Sequence, residues 1–147
     1  MAAVVRPMDL TAAADFARPR RNGVLTTLKA DGRPQLSNII YAVGDDGVVR
    51  ISITADRAKY ANLRRDPRAS LHVTQDDFWA YVVIEGDVDL APVAASPDDA
   101  TVAELVALYR AMIGEHPDWD DYRRAMVADQ RLLIRITVER VGPDRQG

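Results

Sequence analysis

The chain has 147 residues, of which 48% are hydrophobic and 28% are charged. This length and mixture predict one globular domain over the whole chain. We expect an ordered core at about residues 8–141, with a frayed tail after it. The absence of cysteine and the presence of only two histidines exclude disulfides, thiolate metal sites and polyhistidine metal centres. A net charge of -3 argues against general nucleic-acid binding.

Two features of the sequence concern where the protein works. No run of 18 apolar residues exists, so we expect no membrane span. The first ten residues include Arg6 and Asp9 and lack the apolar stretch of a signal peptide, so we expect a cytoplasmic protein. Of the 19 basic residues only Lys29 and Lys59 are lysines, an arginine bias typical of GC-rich genomes such as those of actinobacteria.

The N-terminal third predicts one short helix followed by strands in hairpins. Residues 9–18 have the composition of a helix, which Pro19 ends. From Gly23 the hydrophobic period changes to two, which indicates strands. Turn sequences at Asp31-Gly32 and at residues 44–47 favour antiparallel pairing. The predicted strands cover residues 23–29, 35–43 and 48–54.

The remaining sequence alternates between helical and strand patterns. We predict a helix that ends at Asp66-Pro67, and a long helix that Ser96 caps and Gly114 ends. Asp118 caps a further helix, and Gly86 indicates a bulge or bend. The other predicted strands cover residues 69–74, 80–90 and 132–141. Together the predicted strands and helices indicate an α+β fold, a six-stranded antiparallel β-barrel with flanking helices.

The segment after the third predicted strand combines hydroxyl and basic side chains. Ser52 and Thr54 lie on the polar face of that strand, and Arg57 and Lys59 follow it. Residues 56–68 contain five basic residues against two acidic ones, in a chain that is acidic overall. Such a group at a strand-to-helix junction suits a phosphate. The alternative interpretation is a solvated helix face.

Two other segments contain residues that could contact a flat ligand. Gln35, Ser37 and Asn38 open an otherwise apolar strand, where they can bond the edge of a heteroaromatic ring or simply face solvent. The aromatic residues in Phe78-Trp79-Ala80-Tyr81 can form a ligand wall, a dimer seam or ordinary core.

Other candidate chemistries find little support in the sequence. His72 and His116 have no nucleophile in sequence range, so we interpret both as structural. The acidic pairs at residues 98–99 and 120–121 are explained as charges at helix N-termini. A glycine-rich dinucleotide fingerprint and a Walker loop are both absent from the sequence.

Several motifs in sequence order resemble one family. Residues 31–38, Asp-Gly-Arg-Pro-Gln-Leu-Ser-Asn, look like the first hairpin of the flavin/deazaflavin split β-barrel superfamily, which includes pyridoxamine 5'-phosphate oxidase-like proteins. Arg57-Ala58-Lys59 and residues 62–68 resemble its phosphate-binding stretch. The helical insert, with residues 108–110 and 118–122, is similar to the actinobacterial branch of coenzyme F420-dependent reductases.

The resemblance implies a six-stranded split barrel and a homodimer with two cofactor sites at the interface. On this sequence it places the cofactor phosphate at Ser52, Thr54, Arg57 and Lys59. It places the ring system beside Gln35, Ser37, Asn38 and Ile39, with Trp79 and Tyr81 closing the site from the partner subunit.

The implied activity is transfer of a hydride from reduced F420, a deazaflavin, to a small conjugated organic substrate. A solvent proton then completes the reduction, and no catalytic residue is identified. Two alternatives stay open: an FMN-binding oxidoreductase on the same barrel, and a non-catalytic protein that carries the cofactor.

Overall fold

The computed structural model describes residues 9–142, which form four helices and eight strands. No helix in this part of the chain is both long enough and apolar enough to span a bilayer. The helices are α1 (Leu10–Ala17), α2 (Ala58–Arg65), α3 (Ala100–Met112) and α4 (Trp119–Ala128). The strands are β1 (Asn22–Leu28), β2 (Pro34–Ile40), β3 (Ala42–Val43), β4 (Val49–Thr54), β5 (Arg68–Thr74), β6 (Tyr81–Leu90), β7 (Arg131–Ile136) and β8 (Arg140–Val141).

The strands form one antiparallel sheet that curls into a barrel. Its order is β2-β1-β5-β6-β7-β4-β3, and β8 pairs with β6. The two outermost strands, β2 and β3, are consecutive in the chain and separated only by Tyr41. The chain itself therefore joins the two edges of the sheet, which confirms the predicted α+β split barrel.

Tyr41 explains why one predicted strand, residues 35–43, is observed as two. Up to Ile40 the segment pairs with β1, and from Ala42 onward it pairs with β4. The Tyr41 side chain is fully buried at this switch, and its hydroxyl donates a hydrogen bond to the Ala17 carbonyl at 2.8 Å. Burial raises the pKa of Tyr41. A buried, hydrogen-bonded side chain thus holds the point where the strand changes partner.

The last predicted strand, residues 132–141, is also interrupted. Between the pairs Val88–Ile136 and Glu85–Arg140, β6 has two residues and the opposing segment has three, which is a β-bulge. A side chain at Gly86 would collide with the carbonyl oxygen of Thr137. β6 itself runs through Gly86 without a break, so the bulge predicted there lies instead in the opposing segment, residues 137–139.

Two hydrophobic cores hold these elements together. The barrel interior is filled by the inward-facing residues of every long strand, such as Leu25, Ile51 and Leu71. Outside the barrel, α3 and α4 pack on β7, where Leu133 is fully buried beneath them. Each fully buried side chain of this size contributes about 1.5–3 kcal/mol of transfer free energy. The helical insert therefore has a core of its own on the outer face of the barrel.

Helix starts follow the predictions at two sites and differ at a third. Asp9 and Asp118 cap α1 and α4, accepting hydrogen bonds from main-chain N–H groups three residues later. The predicted cap Ser96 is wrong, since α3 begins at Ala100 and Asp99 caps it. The Asp99 carboxylate accepts from Val102 N at 2.8 Å and from Ala95 N at 2.8 Å. Its two oxygens satisfy donors on both sides of the turn, which one hydroxyl does not do.

Candidate functional site

The outer face of β4 leads into the start of α2. Alternation buries Val49, Ile51 and Ile53 in the barrel and leaves Ser52 and Thr54 half-buried on the outer face. The strand ends at Thr54, and Arg57 occupies the N-cap of α2 in an extended conformation without a side-chain cap bond. The first N–H groups of a helix lack partners within the helix. Two hydroxyls, a basic side chain and free helix donors therefore meet at this junction.

Strand β7 adds Arg131, which the sequence analysis missed. The ladder pairs Thr54 with Arg131, so the two side chains share the outer face. Arg131 Nη1 donates to Ser52 Oγ at 3.3 Å. Burial raises the pKa of Tyr122 on α4, and the nearby charge of Arg131 opposes that rise. No local sequence signal marks Arg131, because its place depends on pairing between distant segments.

These side chains line one cavity of about 210 Å³, called the cationic cavity below. It brings together six of the ten predicted site residues and adds three residues that were not predicted. The predicted ones are Asn38, Ile39, Ser52, Thr54, Arg57 and Lys59, and the additional ones are Ile40, Ile53 and Arg131.

The cationic cavity has more positive than negative charge. In the described part of the chain, Lys59 and Arg131 form no ion pair, and Arg57 has only Asp56, at 3.9 Å between Nε and Oδ1. The Thr54 hydroxyl donates to Asp56, and this bond holds the pKa of Asp56 below its usual range. Partial burial lowers the pKa of Lys59, with a smaller contribution from the Arg57 charge. An anion bound between these cations would favour the charged form of Lys59 and so oppose both causes of its lowered pKa.

Arg131 has a buried donor that no protein acceptor satisfies. Among residues 9–142, Arg131 Nε is a buried side-chain nitrogen that has no hydrogen-bond acceptor. A buried donor without an acceptor costs free energy. The Arg131 side chain lines the cationic cavity together with the hydroxyls of Ser52 and Thr54 and the cations of Arg57 and Lys59. This donor set fits the oxygens of a phosphate ester.

A second cavity of about 560 Å³, called the neutral cavity below, adjoins the cationic one. The two cavities share Asn38, Ile39 and Ile40. The neutral cavity lies on the outer face of β2, β1 and β5, and its other lining residues are Asn22, Gly23, Val24, His72 and Thr74. A ligand anchored in the cationic cavity can therefore extend across the end of β2 into the neutral one.

Four predicted site residues do not line the cationic cavity. Gln35 and Ser37 pair with Thr27 and Leu25, whose side chains are buried in the barrel, so strand alternation turns them away from the outer face. Trp79 is 58% exposed on the turn between β5 and β6. Tyr81 starts β6 and stacks on His72, with ring centroids 5.1 Å apart.

Comparisons with known proteins show the family and the fold. The Pyridoxamine 5'-phosphate oxidase family matches residues 10–143. A structure described as an F420 reductase is 28% identical, with a TM-score of 0.64 over 85% of this chain and 90% of that one. A conserved hypothetical protein from Mycobacterium tuberculosis is 27% identical, with a TM-score of 0.70 over 91% and 82%. A FAD-binding protein from Mesorhizobium loti has the same fold at 20% identity, with a TM-score of 0.65 over 92% of each chain.

Proposed function

Because the chain belongs to the pyridoxamine 5'-phosphate oxidase family, as its motifs predicted, we propose that it is an F420-dependent oxidoreductase. In this proposal it transfers a hydride from the reduced deazaflavin to a small conjugated organic substrate. The observation that carries it is the cationic cavity, where the hydroxyls of Ser52 and Thr54 gather with Arg57, Lys59 and Arg131 and cations outnumber acids. The similarity to an F420 reductase at 28% identity favours a deazaflavin as the ligand.

The residues of the cationic cavity would hold the cofactor by its phosphate. Arg57, Lys59 and Arg131 supply charge, and the Ser52 hydroxyl can donate to a phosphate oxygen. The Thr54 hydroxyl can do the same once it turns away from Asp56. Asn38, at the boundary between the two cavities, offers an amide to the edge of the ring system. When bound, a deazaflavin supplies two-electron hydride chemistry, and the protein supplies position and electrostatics.

A homodimer would complete the site. Four large apolar side chains are more than half exposed on β2 and on the turn after β5: Leu36, Ile40, Phe78 and Trp79. Apolar surface of this kind favours association, and a second copy is the simplest partner for it. In the proposed dimer, Trp79 and Tyr81 close the cofactor site of the other subunit, which accounts for their distance from the cationic cavity within one copy.

The alternative cofactor is FMN, since a flavin phosphate would meet the same donors. The chain shares its fold with a FAD-binding protein, so we retain FMN as the alternative cofactor. Titration of the purified protein with F420 and with FMN, followed by fluorescence, separates the two. We expect FMN to bind at least about tenfold more weakly than F420, a difference of about 1.4 kcal/mol. Tight FMN binding with negligible F420 binding would contradict the proposal.

A non-catalytic cofactor carrier is the remaining alternative. It is tested by mixing the reduced F420 complex with a panel of conjugated carbonyl compounds and following cofactor oxidation. Turnover supports an enzyme, whereas a complex that binds F420 tightly and oxidises with none of them indicates a carrier.

A further inference from the structure

Asp56 is an acidic side chain at the edge of the cationic cavity. It lies between the end of β4 and the start of α2. Its carboxylate accepts a hydrogen bond from the Thr54 hydroxyl and lies 3.9 Å from Arg57 Nε. Thr54 and Arg57 both line the cavity. Asp56 therefore occupies a hydroxyl and attracts a cation that the proposed function assigns to the cofactor phosphate.

The surroundings of Asp56 favour its charged form. The hydrogen bond from Thr54 holds the pKa of Asp56 below its usual range, and the charges of Arg57 and Arg131 act in the same direction. The side chain is 79% exposed, so water reaches it as well. Asp56 thus keeps a negative charge at the edge of the cavity at neutral pH and in mild acid.

A fixed negative charge repels a bound anion in proportion to the charge of that anion. A phosphate diester has one negative charge, whereas a phosphate monoester has nearly two at neutral pH, because its second pKa is about 6. F420 carries its phosphate as a diester, and FMN ends in a monoester. The monoester also has one more free oxygen in need of a donor, while Asp56 occupies the Thr54 hydroxyl. The carboxylate of Asp56 therefore opposes FMN more strongly than F420.

We infer that Asp56 is a specificity-determining residue, through which the cationic cavity prefers a singly charged phosphate diester to a doubly charged monoester. This inference rests on the proposed function and gives a physical reason for the weaker FMN binding expected there. Arg57, Lys59 and Arg131 attract phosphates of both kinds, and the charge of Asp56 distinguishes between them.

The variant Asp56→Asn tests the charge of this side chain with little change of its shape. The side-chain oxygen of asparagine can still accept a hydrogen bond from Thr54. The matched control is Asp15→Asn, because Asp15 is also exposed and also lies beside an arginine, Arg18. Both variants should keep a Tm within about 2 °C of the wild type.

Binding of FMN at two pH values isolates the charge of the phosphate from the rest of the ligand. The FMN phosphate is nearly a dianion at about pH 7.5 and mostly a monoanion at about pH 5. We expect Asp56→Asn to tighten F420 binding about threefold and FMN binding about tenfold at the higher pH, but FMN binding only about threefold at the lower pH. The reason is that doubling the charge of the ligand doubles the free energy of repulsion. Each gain is a ratio of two Kd values at one pH, so the protonation of other groups, such as His72 in the neutral cavity, cancels.

Fluorescence titrations of the wild type and both variants give these gains. Equal gains for FMN at the two pH values, or no gain, would overturn the inference, since Asp56 would then not select by charge. Weaker binding of both cofactors to Asp56→Asn would also overturn it, because Asp56 would then position Thr54 for the ligand. The same gains in Asp15→Asn would show that only the net charge of the protein matters.

The same titrations separate this inference from the proposed function. If the wild type prefers F420 and Asp56→Asn keeps that preference in full, only the inference fails. If the wild type binds FMN tightly and F420 negligibly, the proposed function fails, and the inference fails with it because the cavity prefers the monoester. If neither cofactor binds, both fail, because the cavity then selects no phosphate.

Discussion

Strands β4 and β7 have arginines at both ends of their shared outer face. The two ends differ in how many carboxylates of the protein neutralise those arginines. At one end Arg50 pairs with Arg135 in the ladder, and at the other Thr54 pairs with Arg131. Glu104 of α3 accepts hydrogen bonds from Arg50 Nε at 3.1 Å and from Arg135 Nε at 2.8 Å. We call this the paired end.

Two further carboxylates, those of Asp46 and Asp89, also neutralise the arginines of the paired end. Asp46 bonds Arg50, which lowers the pKa of Asp46 to about 2, and Asp89 lies 2.8 Å from Arg135 Nη1. The hydrogen bond from Arg135 also keeps the pKa of Glu104 below its usual range despite partial burial. The paired end thus fastens α3 to the barrel by charge complementarity within the chain.

The other end has the opposite balance. Arg57, Lys59 and Arg131 gather there, and Asp56 is the acid beside them in the described chain. The contrast shows that arginine content does not identify a binding site. What distinguishes the cationic cavity is that its three cations have a single carboxylate beside them, so an external anion can complete their neutralisation.

The largest expected effect is on binding at the cationic cavity. The double variant Arg57→Ala/Lys59→Ala should weaken cofactor binding by about 2–4 kcal/mol, because it removes two charge-assisted contacts. Its free energy of unfolding should stay within about 0.5 kcal/mol of the wild type. Fluorescence titration and urea unfolding measure the two quantities. The matched control is Lys29→Ala/Arg33→Ala, which removes the same charge from an exposed hairpin. Equal losses of affinity in both variants would mean that only net charge matters.

The next effect is on stability at the paired end. Glu104→Gln should lower the free energy of unfolding by about 2–3 kcal/mol, because it leaves two partly buried arginines without their shared carboxylate. This value is below that of a fully buried pair, since these side chains are 21–28% exposed. Asp15→Asn, which removes an exposed pair with Arg18, should cost less than about 0.5 kcal/mol. A Glu104→Gln variant that loses cofactor affinity but not stability would reverse the assignment of the two ends.

A smaller effect tests the guanidinium of Arg131. Arg131→Lys keeps the charge but removes Nε and the Nη1 that donates to Ser52, so cofactor affinity should fall by about 1 kcal/mol. The unliganded protein should not lose stability through the missing Nε, since that atom has no acceptor in the described structure. Calorimetric titration and thermal unfolding check both points. An unchanged affinity would show that Arg131 Nε does not contact the ligand.

The smallest expected effect is a loss of folding stability as the solution becomes acidic. The folded protein holds Glu104 and Asp46 below their usual pKa, so the unfolded chain takes up their protons first as the pH falls. Their contribution to stability is therefore present above about pH 4–5 and is lost as the pH falls toward about 2. Because Asp46 is largely exposed, its share should be below about 1 kcal/mol. Measured by urea unfolding, the free energy of unfolding of Glu104→Gln should depend less on pH below about 5 than that of the wild type. An identical pH dependence in the two proteins would show that Glu104 is not its source.

Local signals predicted the elements well. Hydrophobic period and turn residues located every long strand, and the predicted cap Asp118 marked the start of α4. The resemblance of Arg57-Ala58-Lys59 to a phosphate-binding stretch led to residues that the structure gathers in one cavity. The predictions of strands and helices succeeded because each depends on residues that are neighbours in sequence.

What the sequence determined by itself was the order of the elements and the basic junction after β4. Only the tertiary structure decided that Tyr41 switches the strand between two partners, that Arg131 completes the cationic cavity, and that Gln35 and Ser37 face inward. The physical reason is strand register. Pairing between segments far apart in the chain sets which side chains share a face, and no local pattern of residues encodes that pairing.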